Sequence, residues 1–240
     1  MWRGLIDLLF PRSCAACGRR PAAGPFCAAC SLRLEVPPAW RCACCAGPLP
    51  LPVGLRGLAR RAEERPGRCA DCAGGAPFAA IRAAFTHGGA AAEAVHRLKY
   101  RGRREVARTL APLLAAAAVI DRGRIDAVAP IPLHAARRRE RGFDQAALLA
   151  RETARLLGLP LRPALLVRTR QTQQQVGLDR AERQRNLAGA FSAAPQAAGL
   201  RVALVDDVVT TGATARAAAE ALRAAGAREV RVIAVARAGH

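Results

Sequence analysis

The chain has 240 residues and a formal net charge of +20, from 38 Lys and Arg residues against 18 Asp and Glu. Hydrophobic residues make up 52% of the sequence but aromatic residues only 4%, so alanine supplies much of the apolar content. This length predicts one or two domains with a sizeable core, and the lack of an apolar run near 18 residues excludes a predicted membrane-spanning helix.

The surplus of positive charge favours a polyanionic partner, namely nucleic acid, a phosphorylated metabolite or anionic lipid. A general preference for arginine in the source proteome explains part of the pattern, but not the surplus of positive over negative charge. The N-terminal stretch MWRGLIDLLFPRSC has a short apolar region, broken by Asp7, and no cleavage pattern, so it is not predicted to be a signal peptide. We therefore expect a cytoplasmic protein.

The N-terminal part of the chain contains all nine cysteines, and eight of them form four C-x-x-C pairs. One C-x-x-C turn directs two thiolates at one ion, and two such turns complete a closed tetrahedral zinc site. Pairing in sequence order predicts two sites, although interleaved ligation is an alternative. The first site would use Cys14, Cys17, Cys27 and Cys30, the second would use Cys42, Cys45, Cys69 and Cys72, and Cys44 would be left over.

Three other roles of these cysteines are alternatives to zinc binding. Disulfides need an oxidising compartment, and no export signal is visible. An iron–sulfur cluster would use the same thiolates, whereas a redox C-x-x-C does not normally occur four times in one chain. Zinc is the preferred interpretation, and its role would be structural because a closed Cys₄ site has no open coordination position. We expect residues 1–76 to form this metal-binding domain and residues 77–240 to form a second domain.

The segment that follows the cysteines predicts a strand within residues 78–89 and one or two helices up to residue 118, with a bend near Arg101–Arg104. Lys99 and Tyr100 lie beside Arg101 and form with it a basic patch that contains an aromatic residue. Such a patch is suited to contact phosphate or a base. A solvated helix end is an equally good interpretation.

The middle of the chain predicts a second strand within Asp126–His134, followed by a loop with four arginines between Arg137 and Arg141. Guanidinium groups match the several negative oxygens of pyrophosphate. Next come an amphipathic helix over residues 142–157, a third strand over Ala164–Thr169 and a long polar segment typical of a mobile active-site loop. Because strands alternate with helices here, we expect an α/β fold with a parallel sheet.

The C-terminal segment begins with a short apolar strand, Val202–Val205, and continues through Asp206 and Asp207 to a helix over Ala213–Ala225. The turn before that helix contains Thr210, Thr211, Gly212 and Thr214. Small residues at a helix N-terminus let backbone N–H groups approach a phosphate, whereas adjacent carboxylates suit ribose hydroxyls or Mg²⁺. A capped strand–turn–helix without a ligand is the alternative.

These motifs closely resemble the ComF family, in which a double zinc ribbon precedes a type I phosphoribosyltransferase domain. The resemblance covers nearly the whole chain. It is carried by the C-x-x-C pairs, LKYRG at 98–102, PIPL at 130–133, RRRERGFDQ at 137–145, and VDDVVTTGAT at 205–214, together with Thr172, Gln175, Leu178, Arg183 and Asn186. The resemblance implies that Asp206 and Asp207 hold the ribose hydroxyls and that Thr210, Thr211, Gly212, Ala213 and Thr214 hold the 5′-phosphate.

The resemblance implies a glycosyltransferase that binds phosphoribosyl pyrophosphate with Mg²⁺ and transfers its ribose to an acceptor that the sequence does not name. Arg137 and Arg141 would receive the pyrophosphate, and a loop with Thr172 and Gln175 would close over the site. The alternative is a non-catalytic factor of natural transformation that binds single-stranded DNA and senses a nucleotide, working with other DNA-uptake proteins. A third hypothesis makes the zinc ribbons a module for docking to another protein.

Overall fold

The computed structural model of the chain describes residues 13–19, 24–38, 40–49, 67–100, 104–170, 186–187 and 189–239. The cysteine-rich part contains two short helices, α1 (Ala28–Ser31) and α2 (Ala70–Ala73). The rest contains β1 (Ala80–Thr86), α3 (Gly89–Tyr100), α4 (Arg104–Ala118), β2 (Ala127–Pro130), α5 (Ala135–Arg141), α6 (Gln145–Leu157), β3 (Leu166–Arg168), β4 (Phe191–Ala193), β5 (Arg201–Val209), α7 (Ala213–Ala224) and β6 (Glu229–Arg237). No helix in these described ranges is long and apolar enough to cross a membrane.

Four parallel strands form the main sheet in the order β1-β6-β5-β2. The central strands β5 and β6 consist mostly of buried Val, Ile, Leu and Ala, as expected for a parallel sheet covered on both faces. Because the strands are parallel, their carboxyl ends meet at one edge of the sheet. The α/β class with a parallel sheet is therefore confirmed, and this edge is where such sheets bind ligands.

Each face of the sheet packs against a different group of cysteines. On one face, Leu204 of β5 belongs to the same apolar cluster as Leu222 of α7 and Cys42, Cys44 and Cys72. On the other face, Val205 clusters with helices α3, α4 and α6 and with Cys14 and Cys30. This alternation follows from the two-residue period of a strand. The two cysteine groups thus lie on opposite sides of the sheet, and the division between residues 76 and 77 stays a prediction.

The prediction that Ala164–Thr169 forms a strand of the parallel sheet was wrong. Only Leu166–Arg168 is extended, and it pairs antiparallel with β4 in a separate two-stranded sheet. Pro163 begins a short 3₁₀ helix just before it, and Val167 is half exposed. So short and exposed a strand is unsuited to a position buried on both faces. The parallel sheet is completed by β1 instead.

Two other sequence predictions differ from the structure at the carboxyl edge of the parallel sheet. Strand β5 continues past Val205 to Val209, so Asp206 and Asp207 lie within the strand rather than after it. The predicted arginine loop forms helix α5, whose first turn is capped by His134 and which ends at Gly142 with φ +74°. Alanine and arginine are good helix formers, and the glycine permits the left-handed end.

Candidate ligand site and metal centres

The eight paired cysteines form two tetrads, and the grouping follows sequence order. Cys14, Cys17, Cys27 and Cys30 bring their sulfur atoms within 4.8 Å of one another, and so do Cys42, Cys45, Cys69 and Cys72. All nine cysteines lie in the described ranges, and none forms a disulfide. Cys44 stands outside both groups, with its thiol donating to the carbonyl of Phe78 at 3.4 Å.

The chemistry of each tetrad fits a soft divalent cation. Burial by itself would raise the pKa of Cys14 and Cys42, but backbone N–H groups lower it to about 6 and about 7. Burial and the neighbouring thiols raise the pKa of Cys30 to about 12 and that of Cys45 to about 11. Four crowded thiols cannot all ionise without a compensating positive charge, and a bound metal ion supplies that charge.

Asp206 and Asp207 project from opposite sides of β5 near its carboxyl end. Asp207 is buried; its Oδ1 accepts the N–H of Val208 at 2.7 Å and its Oδ2 lies 3.2 Å from Lys99 Nζ. Asp206 is partly exposed, and its Oδ1 accepts the N–H of Asp207 at 2.8 Å. Desolvation and the negative charge of Asp207 raise the pKa of Asp206 well above its usual range, whereas Lys99 lowers it.

The carboxylate pair has the donors that a hard cation prefers. Asp207 Oδ2 is buried and accepts no hydrogen bond, although it is close to the charge of Lys99. Two adjacent carboxylates with one unsatisfied oxygen fit Mg²⁺ or ribose hydroxyls, both of which need negatively charged oxygen acceptors. The residues therefore fit the ion that the sequence suggested.

The predicted phosphate loop lies directly after β5 and before α7. Gly212 caps α7 with φ +83°, a conformation that side-chain-bearing residues rarely adopt. Thr211 Oγ1 accepts the N–H of Ala213 at 3.4 Å, while Thr210 and Thr214 remain at least partly exposed. The first N–H groups of a 12-residue helix thus face the open edge of the sheet, and they carry a positive partial charge.

Helix α5 carries the arginines that were predicted to bind pyrophosphate. Burial lowers the pKa of the Arg168 guanidinium, the charge of Arg137 lowers it further, and the charge of Asp206 raises it. Arg141 donates to Gln145 at 3.2 Å, and its guanidinium lies 5.3 Å from the ring centroid of Tyr100. Arg168 thus feels the charges of both Asp206 and Arg137, whereas Arg141 faces Tyr100. Thr172 and Gln175, which were predicted to cover the site, lie outside the described residues.

Asp144 has a structural role in the same region. Its Oδ1 caps α6 by accepting the N–H of Ala147 at 3.0 Å, and its Oδ2 accepts the N–H of Leu133 at 3.0 Å. The side chain therefore fixes the segment after β2 against the start of α6. The chain between them carries Arg137 and Arg141, so Asp144 helps to set their position.

Two charged residues of the site were not predicted as site residues. The sequence places Lys99 only in a basic patch. The one feature that distinguishes it is that it is the single lysine of an arginine-rich sequence. Arg168 follows the short apolar pair Leu166–Val167, which gave no indication that it would lie near Asp206. Both owe their place to tertiary packing rather than to local sequence.

An open cleft lies beside Asp207, between the first tetrad and α3. It has a volume of about 690 Å³, and its lining includes Cys17, His87, His96, Lys99 and Tyr100. The rings of His96 and Tyr100 lie 4.7 Å apart at an angle of 37°. Burial and the charge of Lys99 lower the pKa of His87, whereas Asp207 raises it. The cleft therefore combines positive charge with exposed aromatic faces.

Comparison with known proteins agrees with this architecture. Residues 144–240 match the phosphoribosyl transferase domain, and residues 5–73 match the double zinc ribbon domain. Competence protein F of Haemophilus influenzae is 38% identical over 153 residues, which cover 60% of this chain and 66% of that protein. DNA utilization protein YhgH of Escherichia coli K12 is 35% identical over 143 residues, which cover 58% of this chain and 63% of that protein. The chain thus spans just under two thirds of the length of these curated relatives.

Two solved structures were also found to be similar. One is described as the allosteric regulatory enzyme of purine biosynthesis, with 24% identity, a TM-score of 0.42, and coverage of 59% of this chain and 30% of that chain. The other is the glutamine phosphoribosylpyrophosphate amidotransferase from B. subtilis, with 25% identity, a TM-score of 0.40, and coverage of 57% and 30%. Both scores lie below 0.5, so these two likenesses support no conclusion about this chain. The two domain matches and the curated relatives do support one: the chain has a double zinc ribbon domain followed by a phosphoribosyltransferase domain, and it is similar in sequence to competence protein F and to DNA utilization protein YhgH.

Proposed function

We propose that the protein binds phosphoribosyl pyrophosphate, or a nucleotide with the same ribose 5-phosphate, and transfers the ribose to an acceptor. The observation that carries this proposal is the meeting of a carboxylate pair, Asp206 and Asp207, with the phosphate loop Thr210–Thr214 at one edge of the sheet. A sugar phosphate needs hydrogen-bond acceptors for its hydroxyls and N–H donors for its phosphate, and these two features supply them. The arginines beyond Asp206 supply the third feature, which is positive charge for a pyrophosphate.

Each side chain then has a defined task. The backbone N–H groups of Thr211–Thr214 bind the 5′-phosphate, and Gly212 keeps the approach to them open. Asp206 and Asp207 accept hydrogen bonds from the ribose hydroxyls. Lys99 holds Asp207 in place through the ion pair at 3.2 Å. Mg²⁺, when bound with the ligand, would neutralise pyrophosphate charge next to this carboxylate pair.

In the transfer reaction, the bond from ribose C1 to the pyrophosphate oxygen breaks and a bond from C1 to the acceptor nitrogen forms, while the acceptor N–H proton is released to solvent. The electron pair of the broken bond leaves with the pyrophosphate, and the ribose becomes positively charged between the two events. Arg137 and Arg168 stabilise the leaving group, while the carboxylates stabilise the sugar. Most of the rate enhancement in this scheme comes from positioning and charge.

Turnover tests this proposal against simple binding. The protein is incubated with Mg²⁺ and labelled phosphoribosyl pyrophosphate across a panel of nucleobases and amines, and pyrophosphate release is followed. An Asp206→Asn, Asp207→Asn double variant is the control for contaminating activity. Acceptor-dependent release that the double variant lacks supports a transferase. Tight binding of phosphoribosyl pyrophosphate without pyrophosphate release, for every acceptor tested, would indicate a protein that binds this ligand without transferring its ribose.

The second candidate is a factor that binds single-stranded DNA during DNA uptake. The specific observation in its favour is the stacked group of His96, Tyr100 and Arg141 on a chain of net charge +20. Exposed aromatic rings and guanidinium groups stack on bases without regard to sequence. The printed names of the relatives, competence protein F and DNA utilization protein YhgH, point the same way. Affinity for oligonucleotides should then fall steeply with salt.

We further propose that both tetrads hold structural zinc and that the protein acts in the cytoplasm. Four sulfur donors without a nitrogen or oxygen ligand favour zinc among common divalent metals. In the cytoplasm these thiols stay reduced and available for the metal. Residues 1–76 and 77–240 would then be two domains joined by packing on the sheet.

A further inference from the structure

Arg237 joins the second tetrad to the phosphate loop. Arg237 ends β6 and is only 7% exposed. Its Nε donates to the carbonyl of Cys45 at 3.1 Å, and its Nη1 donates to the carbonyls of Val209 at 3.3 Å and Thr210. One guanidinium thus connects a metal-ligating cysteine with the first residue of the phosphate loop.

The other end of the phosphate loop also contacts the second tetrad. Arg216 lies in the first turn of α7, and its Nη2 approaches the carbonyl of Asp71 at 3.5 Å. Its guanidinium lies 5.9 Å from the ring centroid of Phe78. Asp71 is in the same short helix as Cys72. Both ends of the loop therefore depend on the segment that the second metal ion organises.

Apolar packing reinforces this connection. Cys42, Cys44 and Cys72 belong to the same buried cluster as Val209 and Ala213, which flank the loop. Because a closed Cys₄ site is folded by its metal, loss of the ion would loosen this part of the cluster. The carbonyl of Cys45 would then move away from Arg237, and the constraint on Thr210 would be lost.

The first tetrad provides a natural contrast. Arg97 on α3 donates to the carbonyls of Cys14 and Ala15, the latter at 2.9 Å, and it is also buried. It therefore holds the first tetrad by the same kind of bond that Arg237 makes to the second. Its bonds lead to α3 rather than to the phosphate loop. The two arginines are thus matched in chemistry and differ in what they connect.

We propose that Arg237 is a positioning residue through which metal binding at Cys42, Cys45, Cys69 and Cys72 sets the conformation of the phosphate loop. This proposal rests on the proposed function, since it assumes that the loop binds a phosphate. With Arg237 in place, the carbonyl of Thr210 is drawn away from the ligand, and the N–H groups that follow face it. Because coupling is reciprocal, phosphate binding in turn stabilises the second metal site.

The test measures ribose 5-phosphate affinity by calorimetry and metal content for wild type, Arg237→Gln and Arg97→Gln, each purified with its metal. Arg237→Gln should keep two ions and bind about tenfold more weakly, a typical size for such coupling. Arg97→Gln should bind like wild type. Equal affinity of wild type and Arg237→Gln for ribose 5-phosphate would overturn the proposed role of Arg237, but it would not contradict phosphate binding by the loop. No binding by wild type would overturn both.

A second arm uses only the wild-type protein, so it does not depend on the folding of a variant. A chromogenic chelator competes with the protein for the metal ions, and the equilibrium affinity for each ion is measured with and without saturating ribose 5-phosphate. The ligand should raise the affinity for one ion of the two by about tenfold and leave that for the other unchanged. An equal rise for both ions, or for neither, would contradict a link that runs through the second tetrad alone.

Discussion

Lys99 Nζ lies 3.2 Å from Asp207 Oδ2, so the single lysine of the chain is paired with the buried carboxylate of the candidate sugar site. Asp207 is only 3% exposed, and an unpaired charge there would be costly. The pair also joins α3 to the end of β5. The first helix after the cysteine-rich segment is therefore tied to the ligand site by charge.

This pair leads to a prediction about stability. Replacing Lys99 with Met keeps most of the side chain but removes its charge, and it should lower the free energy of unfolding by about 1–3 kcal/mol, because the buried charge of Asp207 loses its opposite partner. Lys99→Arg should recover most of the loss. Denaturant unfolding of Lys99→Met, Asp207→Asn and the double variant gives the coupling energy. A coupling below about 0.5 kcal/mol would mean that the two residues act independently.

The ligand site gives a second prediction. Asp207→Asn keeps the side-chain shape but removes a charged acceptor for the ribose hydroxyls, which is worth roughly 1.5–3 kcal/mol. The affinity for phosphoribosyl pyrophosphate with Mg²⁺ should fall by roughly ten- to a hundredfold. Calorimetric titration measures this loss, and metal content should stay as in the wild type. If folded Asp207→Asn binds phosphoribosyl pyrophosphate with wild-type affinity, Asp207 does not contact the ligand.

Gly212→Val should act differently from Asp207→Asn. At φ +83° a β-branched residue is strained, so the loop should leave the conformation in which its N–H groups can bind a phosphate. Even ribose 5-phosphate without pyrophosphate should then bind poorly. Gly199 is the matched control, because it also has positive φ, at +75°, but lies away from the site. If Gly199→Val weakens binding as much as Gly212→Val does, the effect is not specific to the loop.

The tetrads give a prediction about metal content. Cys14→Ser and Cys69→Ser should each lose about one of two ions, because each change leaves one site with three thiolates. Cys44→Ser should keep both ions, since its thiol donates to Phe78 instead of joining a tetrad. Elemental analysis of the purified proteins decides the matter. A fully folded protein without metal would contradict the assignment.

The pKa values of Asp206 and Asp126 are shifted in opposite directions and predict opposite effects of pH. The raised pKa of Asp206 means that its contribution to stability is full below about pH 4 and is lost as pH rises through its folded pKa. Asp206→Asn should therefore become increasingly more stable than wild type as pH rises. Thermal unfolding between about pH 5 and pH 8 measures this difference.

Asp126 supplies the control for that experiment. Its bonds to Arg201 lower its pKa from 3.8 to about 2, so its contribution is present above about pH 4 and is lost as pH falls through about 2. Asp126→Asn should be slightly less stable than wild type by a constant amount between about pH 5 and pH 8. Two results would contradict these assignments. One is a stability difference between Asp126→Asn and wild type that varies with pH, and the other is a stability difference between Asp206→Asn and wild type that stays constant with pH.

The parts of the fold that could be predicted from sequence have strong local patterns. The C-x-x-C spacing gives the two tetrads in sequence order, and the apolar run before Asp206 gives a parallel strand. The loop Thr210–Thr214 was predicted because residue size, helix start and the family resemblance all agree. These patterns depend on neighbours in the chain, which a sequence displays directly.

The parts that could not be predicted depend on contacts between distant segments. Arg168 and Lys99 reach the site from β3 and α3, and no local pattern marks them. Strand β5 extends to Val209 because β6 pairs with it that far, which the polar pair Asp206–Asp207 concealed. Arg237, at the far end of the sequence, is recognisable as a link only when the carbonyl of Cys45 is seen beside it.

The most direct test of the central claim is the crystal structure of the protein with phosphoribosyl pyrophosphate and Mg²⁺. The account predicts that the 5′-phosphate lies within hydrogen-bond distance of the backbone N–H groups of Thr211–Thr214, with the ribose hydroxyls on Asp206 and Asp207. It also predicts the pyrophosphate between Arg137 and Arg168. A ligand bound elsewhere on the protein, with Thr210–Thr214 serving only to begin α7, would contradict it.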